Sequence, residues 1–116
     1  MDSSSEALLD AYRSAAMEHG LALHLAESER ANRAFRLLRQ CLQAIDNAMG
    51  RKSLTGLLDD GDPHVALWAG THLLATSPTV AELALERLAA LPAGVAASDA
   101  QTVLAEWRAG RLTPSE

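Results

Sequence analysis

The chain is short of the residues that build disulfide-linked and membrane-spanning proteins. Its single cysteine, Cys41, excludes an internal disulfide. No apolar run approaches the roughly 20 residues that a helix needs to cross a bilayer. The N-terminal stretch 1–6 also lacks the basic start and apolar run of a secretory signal. These absences predict a cytoplasmic protein that does not act at a membrane.

Aromatic and β-branched residues are scarce as well. The 116 residues include four aromatic side chains, four valines and one isoleucine, and alanine and leucine supply most of the apolar content. Such a composition is typical of helices packed through small side chains, because β-sheets are normally richer in valine, isoleucine and aromatic residues. We predict an all-α protein of about five to six helices, forming one domain over 1–116 with an ordered core of about 5–110.

The net charge of −5 is unevenly divided along the chain. Between Arg30 and Lys52, six basic residues are accompanied by one acidic residue, whereas eight acidic residues and three arginines follow from Ser53 onward. Nucleic-acid binding needs a positive field, so the acidic half argues against it. An acidic surface suits a basic protein partner, although solubility alone explains most acidic surfaces.

Helical periodicity is clearest over 28–49, where apolar residues recur at steps of three and four. A second stripe of mostly smaller apolar residues flanks the first, which predicts a helix covered on two sides, as in a stacked helical array. The remaining arc of this helix is polar and comprises Asn32, Arg33, Arg36, Gln40, Gln43 and Asn47.

Helix starts are predicted elsewhere by pairs with capping-box spacing, in which a hydroxyl residue precedes a Glu or Gln by three positions. Gly20 predicts a kink or a stop in the first helix. The three capping-box pairs are Ser3 with Glu6, Thr79 with Glu82, and Ser98 with Gln101. The helix after Pro78 is predicted to bury Val80, Ala84, Leu88 and Leu91.

The most specific local pattern lies in the segment 57–74. Gly61 suits a left-handed residue after a helix, Asp62 can cap the next helix through its side-chain oxygen, and Pro63 suits the first helical position. We therefore predict a short helix over about 52–59, a tight acidic turn, and an antiparallel helix over about 63–76.

The leucine pair 57–58, followed by Asp62, Pro63 and Val65, resembles the core of a HEAT repeat. Together with Ala-Asn-Arg-x-Phe at 31–35 and Leu-x-x-Trp-x-x-Gly at 104–110, it makes the chain similar to a family of small bacterial HEAT/ARM-like helical domains of unknown function. The resemblance covers about 9–110. It implies a HEAT-like right-handed stack of antiparallel helix pairs and a protein-binding habit, and it implies no reaction. Ala66 stands where HEAT repeats usually carry arginine, so the arginine ladder of longer HEAT proteins is not expected.

Residue types that carry chemistry lack the spacing that chemistry needs. His19 and His24 are five positions apart, and His64 and His72 are eight apart, whereas two metal ligands on one helix are normally three or four apart. Cys41 lies on the smaller apolar stripe, which predicts a packed, unreactive thiol. The chain also has no glycine-rich phosphate loop and no nucleophile elbow. We predict no metal, no cofactor and no enzymatic activity.

One constellation on the helix after Pro63 departs from simple core packing. The second helix of a HEAT hairpin lines the concave surface, and exposed tryptophan is enriched among binding hot spots. A stripe on this helix, with a neighbouring ridge on the helix over 28–49, is therefore the predicted partner-binding surface. Its members are His64, Trp68, His72, Arg33, Arg36 and Gln40. Two simpler interpretations stay open: Trp68 belongs to the core, and the polar arc is a solvated helix face.

The function predicted from these features is non-enzymatic protein binding. Its most concrete form is a bacterial immunity-type protein that sequesters a partner toxin. The competing hypothesis is a small-molecule-binding or enzymatic helical domain with a site between helices. A buried polar cluster in a sizeable pocket would favour the second hypothesis, and a shallow, polar-rimmed groove with Trp68 exposed would favour the first.

Overall fold

The computed structural model describes residues 3–92 and 94–112, and within these ranges it contains helices and no strand. This confirms the all-α prediction. The elements are α1 (Ser3–His24), α2 (Ser28–Ala48), a 3₁₀ helix (Arg51–Leu57), α3 (Pro63–Leu73), α4 (Pro78–Ala89) and α5 (Val95–Arg108). The chain divides into two compact units, Met1–Ser53 and Leu54–Glu116. The HEAT-like stacking stays a prediction.

The first unit is an antiparallel pair of long helices, α1 and α2. α1 does not stop at Gly20 but continues to His24. Arg30 on α2 forms a bidentate ion pair with Glu18 on α1, with Nη2 donating to Oε1 over 2.9 Å. Of the two apolar stripes predicted on α2, the smaller is only partly covered, because Leu37 is 49% exposed. The side chains that α2 buries are Ala31, Ala34, Leu38, Cys41, Leu42 and Ile45.

The turn between α1 and α2 contains an alanine in the left-handed conformation, Ala26, with φ of 57°. The N–H of Glu27 donates to the carbonyl of Ala22 over 2.9 Å, and the N–H of Ala26 donates to the carbonyl of Leu23 over 3.1 Å. These two bonds define a Schellman motif, in which the left-handed position is usually glycine. α5 ends in the same motif with Gly110, φ 75°, at that position.

Ala26→Gly is expected to stabilise the protein by about 0.5–1 kcal/mol. A left-handed alanine costs about 1–2 kcal/mol, and the greater freedom of glycine in the unfolded chain offsets about 0.4–1 kcal/mol of the relief. Urea denaturation measures the difference. Ala11→Gly is the matched control, because Ala11 is an exposed residue inside α1 and the same change there should destabilise by about 0.5–1 kcal/mol. If both substitutions stabilise the protein, or both destabilise it, the left-handed conformation of Ala26 is not the source of the effect.

The second unit packs α3, α4 and α5 against one another. The prediction for α4 is half right: Ala84 and Leu88 are buried, whereas Val80 and Leu91 are 44% and 41% exposed. Leu85 is buried instead, where the backbone of α3 at Gly70 closely approaches its side chain. The buried residues of α4 are Ala81, Ala84, Leu85 and Leu88.

Asp62 caps α3 as predicted. Its Oδ1 accepts hydrogen bonds from the N–H groups of His64 at 2.8 Å and Val65 at 3.4 Å. The prediction of a left-handed Gly61 is wrong, because its φ is not positive. The side chain of Asp60 shapes the turn instead, with its Oδ1 accepting from the N–H of Asp62 at 2.9 Å.

Asp62→Ala is expected to destabilise the protein by about 1 kcal/mol, because it leaves N–H groups in the first turn of α3 without a side-chain acceptor. The midpoint of urea denaturation reports the change. Asp62→Asn keeps a carbonyl oxygen at the capping position and should stay close to the wild type. If alanine and asparagine behave alike, the capping bonds contribute nothing measurable.

The start of α5 differs from the prediction. α5 begins at Val95 after Gly94, so Ser98 lies inside the helix and does not cap it. Gln101 has a different partner, since its Nε2 donates to the carbonyl of Ala89 over 3.1 Å. Carbonyl groups in the last turn of a helix lack intrahelical partners. Gln101 therefore joins α5 to the C-terminal end of α4.

Candidate functional site

α3, α5 and the residues that follow α5 line a half-open pocket of about 300 Å³ in the second unit. This volume is at the lower end of the range of about 300–1,000 Å³ for small-molecule sites, and it fits one long side chain. We name it the Trp68 pocket. Its lining residues are Leu67, Trp68, Thr71, Asp99, Thr102, Val103 and Leu112.

Trp68 forms one wall of the pocket. Its indole is half-buried and stacks on the imidazole of His72, with ring centroids 5.3 Å apart and an interplanar angle of 29°. The stack follows from sequence, because residues four apart on a helix are neighbours on its surface. Trp68 is thus packed along one side and reachable from the pocket.

His72 does not lie where the sequence predicted it. It is only 7% exposed, so it does not form part of a partner-contacting rim. Its position in the last turn of α3 lets it hold the indole of Trp68 in place. His64, in the first turn of α3, is half-buried and does not line the pocket. Of the three α3 residues predicted to contact a partner, Trp68 alone lines the pocket.

The hydroxyl groups in the lining are committed to their own helices. Thr71 Oγ1 donates to the carbonyl of Leu67 over 2.7 Å, and Thr102 Oγ1 donates to the carbonyl of Ser98 over 3.2 Å. Asp99 is the only ionisable group of the lining. Its carboxylate is half-buried and makes no hydrogen bond or ion pair with any residue in 3–92 or 94–112. The pocket therefore combines apolar walls with one carboxylate that has no partner among those described residues.

The predicted ridge on α2 belongs to the first unit. Arg33 and Arg36 are exposed and, with Glu29 and Asn32, line an open cleft of about 310 Å³. Gln40 is exposed and lies outside this cleft. These positions fit a solvated helix face, and a joint surface with the α3 stripe stays a prediction.

Arginines on α2 also act on Glu18, which lies on α1. The side-chain hydrogen bond from Arg30 lowers the pKa of Glu18, and the positive charges of Arg30 and Arg33 add to that effect.

Sequence reasoning did not find the α5 side of the pocket. Val103 is half-buried, and neither it nor Asp99, Thr102 or Leu112 was predicted as a site residue. No periodicity places α5 beside α3, because that neighbourhood arises only in the folded unit. The available signal was Asp99 itself, which is the only charged residue between Val95 and Ala105.

The residues with potential for other chemistry are packed or dispersed. Cys41 is buried, and burial raises the pKa of its thiol, which lowers the thiolate fraction at neutral pH. In the part of the chain that the structure describes, no group of three or more His, Cys, Asp or Glu side chains is arranged to hold a metal ion. Among the described helices, none has the length and apolarity required to cross a bilayer.

A solved structure shares this fold. The crystal structure of protein RPA1889 from Rhodopseudomonas palustris CGA009 is similar to this chain with a TM-score of 0.87 and 24% sequence identity. The similarity covers 96% of this chain and 93% of that one. No family model and no curated protein matches the chain. At this identity the likeness shows the fold alone, and membership of the HEAT/ARM-like family stays a prediction.

Proposed function

We propose that this protein is a non-enzymatic binding module that docks a partner protein through the Trp68 pocket. The observation that carries the proposal is the reachable, stacked indole in a pocket that fits one side chain. Tryptophan is among the residues most enriched in binding hot spots, which cluster in well-packed pockets. Because His72 already holds the indole, little side-chain freedom is lost when a partner binds.

Charge supports a basic partner. From Ser53 onward the chain carries eight acidic residues and three arginines, and such a field favours encounter with positively charged proteins. A bacterial immunity-type protein that sequesters a basic toxin is one form of this function. The small-molecule hypothesis is less well supported, because such sites usually use several converging polar groups and this lining offers one carboxylate.

Site-specific photo-crosslinking tests the docking site. A benzophenone amino acid at Thr102 reports on the pocket, and one at Leu83, which is exposed on α4 outside the lining, is the matched control. We expect a protein partner to be captured at 102 and not at 83, and the purified partner then to bind the wild type in calorimetry. Equal capture at both positions would argue against a docking site at the pocket.

Trp68→Ala is expected to weaken binding of that partner by about 2 kcal/mol or more, because it removes the wall of the pocket. Unfolding must be measured in parallel, since truncating a packed tryptophan destabilises a fold by about 3–5 kcal/mol. Trp107→Ala is the control, because Trp107 is also half-buried but does not line the pocket. Folded Trp68→Ala protein with full affinity would show that the docking site lies elsewhere.

The predicted α2 part of the surface has its own test. Joint charge reversal, Arg33→Glu with Arg36→Glu, leaves the second unit unchanged in sequence. Loss of affinity would extend the docking surface to α2. Unchanged affinity would confine it to the Trp68 pocket.

A further inference from the structure

Asp99 differs from the other acidic residues described in the second unit in the partners of its carboxylate. Over 54–92 and 94–112, every other carboxylate accepts a hydrogen bond or ion pair from a neighbour. Asp59 pairs with Arg87, Asp60 and Asp62 accept backbone N–H groups, Glu82 and Glu86 pair with Arg108, and Glu106 pairs with Arg111. Within the same ranges Asp99 has no such partner, and it lies in the lining of the Trp68 pocket.

The pocket sets a chemical requirement on its occupant. An apolar side chain would cover Trp68, Val103 and Leu67 but would remove water from Asp99 without offering it a partner, which is unfavourable. An acidic side chain would be repelled. A long side chain with an apolar stem and a cationic end satisfies both parts of the lining. Arginine fits best, because its guanidinium also stacks on aromatic rings and binds carboxylates in a bidentate manner.

We propose that the Trp68 pocket binds a basic side chain of the partner protein, arginine in preference to lysine, with Asp99 as its ion-pair acceptor. The inference rests on the proposed function and adds the chemistry of the docked residue. The stem lies along Trp68 and Val103, and the cationic end pairs with the Asp99 carboxylate. The acidic balance of the second unit acts in the same direction.

Single-residue probes test the inference without a known partner. The probes are the N-acetyl, N-methylamide derivatives of arginine, of citrulline, which is nearly isosteric and neutral, and of norleucine, which is apolar. Each is titrated into ¹⁵N-labelled protein, following the indole N–H signal of Trp68 and the amide of Asp99. We expect the arginine probe to bind about tenfold more tightly than the other two, as a charge-assisted hydrogen bond predicts.

Two variants locate the source of that preference. Asp99→Asn keeps the shape of the side chain and should erase the advantage of arginine over citrulline. Thr102→Lys places a tethered cation one helical turn from Asp99 and should block the arginine probe. Ala105→Lys is the matched control, because it adds the same charge to an exposed site on α5 outside the pocket lining. It should leave arginine binding unchanged.

The outcomes separate this inference from the function on which it rests. If the wild type binds citrulline or norleucine as tightly as arginine, the preference for a basic side chain is wrong. The pocket would then still stand as a docking site. An arginine preference that survives Asp99→Asn would overturn the role of Asp99. Unshifted Trp68 signals with all three probes would overturn both the inference and the docking site.

Discussion

Gly70→Leu is expected to destabilise the protein by about 3 kcal/mol, at the upper end of the usual range for overpacking. α3 and α4 meet at this position, where an added Cβ would lie 3.0 Å from both Cγ and Cδ2 of Leu85. Leu85 is fully buried and cannot move aside into solvent. The further carbons of a leucine at position 70 must therefore separate the two helices or force side chains out of their rotamers.

Urea denaturation followed by circular dichroism measures this effect. Gly56→Leu is the control, because an added Cβ there meets nothing within 4 Å, and a surface change of this kind usually alters stability by no more than about 0.5 kcal/mol. The double variant Gly70→Leu with Leu85→Ala should recover part of the loss, since both residues occupy one space. Strictly additive losses would refute the close approach of α3 and α4.

Local chemistry made the ends of some helices predictable. The Asp62–Pro63 pair identified the start of α3, because the Asp62 side chain accepts from N–H groups of the first turn and Pro63 has no N–H that needs an acceptor. The capping-box spacing of Ser98 and Gln101 also indicates a helix start, but here it predicted the wrong start for α5. Its Gln101 bonds to the end of α4 instead, and local spacing contains no information about that neighbour.

The buried faces of the helices were predictable only where one apolar stripe dominates. α2 has such a stripe, and four of its six members are buried as expected. α4 has apolar residues around most of its circumference, so its buried face was decided by the contact between Gly70 and Leu85. Tertiary packing of this kind overrides periodicity, which is why Val80 and Leu91 were wrongly placed in the core.

The α3 side of the candidate site was predictable from the sequence, and the α5 side was not. Trp68 attracts notice in any sequence with four aromatic residues, and its position on α3 follows from the capping pattern. Asp99 shares the pocket lining with Trp68 because α5, which lies about 30 residues further along the chain, folds beside α3. A single sequence carries no signal for that contact.

A large loss of stability is expected at Tyr12, where Tyr12→Ala should destabilise the protein by about 3–5 kcal/mol. The ring is 0% exposed, so truncation would leave a large cavity in the packing around α1. Tyr12→Phe retains the ring and should lose about 1 kcal/mol, the net contribution of one hydroxyl interaction. Equal losses in the two variants would show that the hydroxyl, and not ring packing, stabilises this region.

Tyr12 also predicts how stability depends on alkaline pH. Burial raises the pKa of its phenol well above the ordinary value, with the nearby charge of Arg51 opposing the rise and Cys41 adding to it. In the unfolded chain the pKa is about 10. The stabilisation from a neutral Tyr12 is therefore complete below about pH 10 and is lost as pH rises through the folded-state pKa.

The chain has one tyrosine, so tyrosinate absorbance reports on Tyr12 alone. We expect this absorbance to appear together with the loss of helical circular dichroism as pH rises, because the buried phenol ionises when the fold opens. Tyr12→Phe should lose less stability over the same pH range. It should still lose some, because burial also raises the pKa of Cys41. Ionisation near pH 10 with the helical signal intact would place the phenol within reach of solvent and contradict the burial on which both Tyr12 predictions depend.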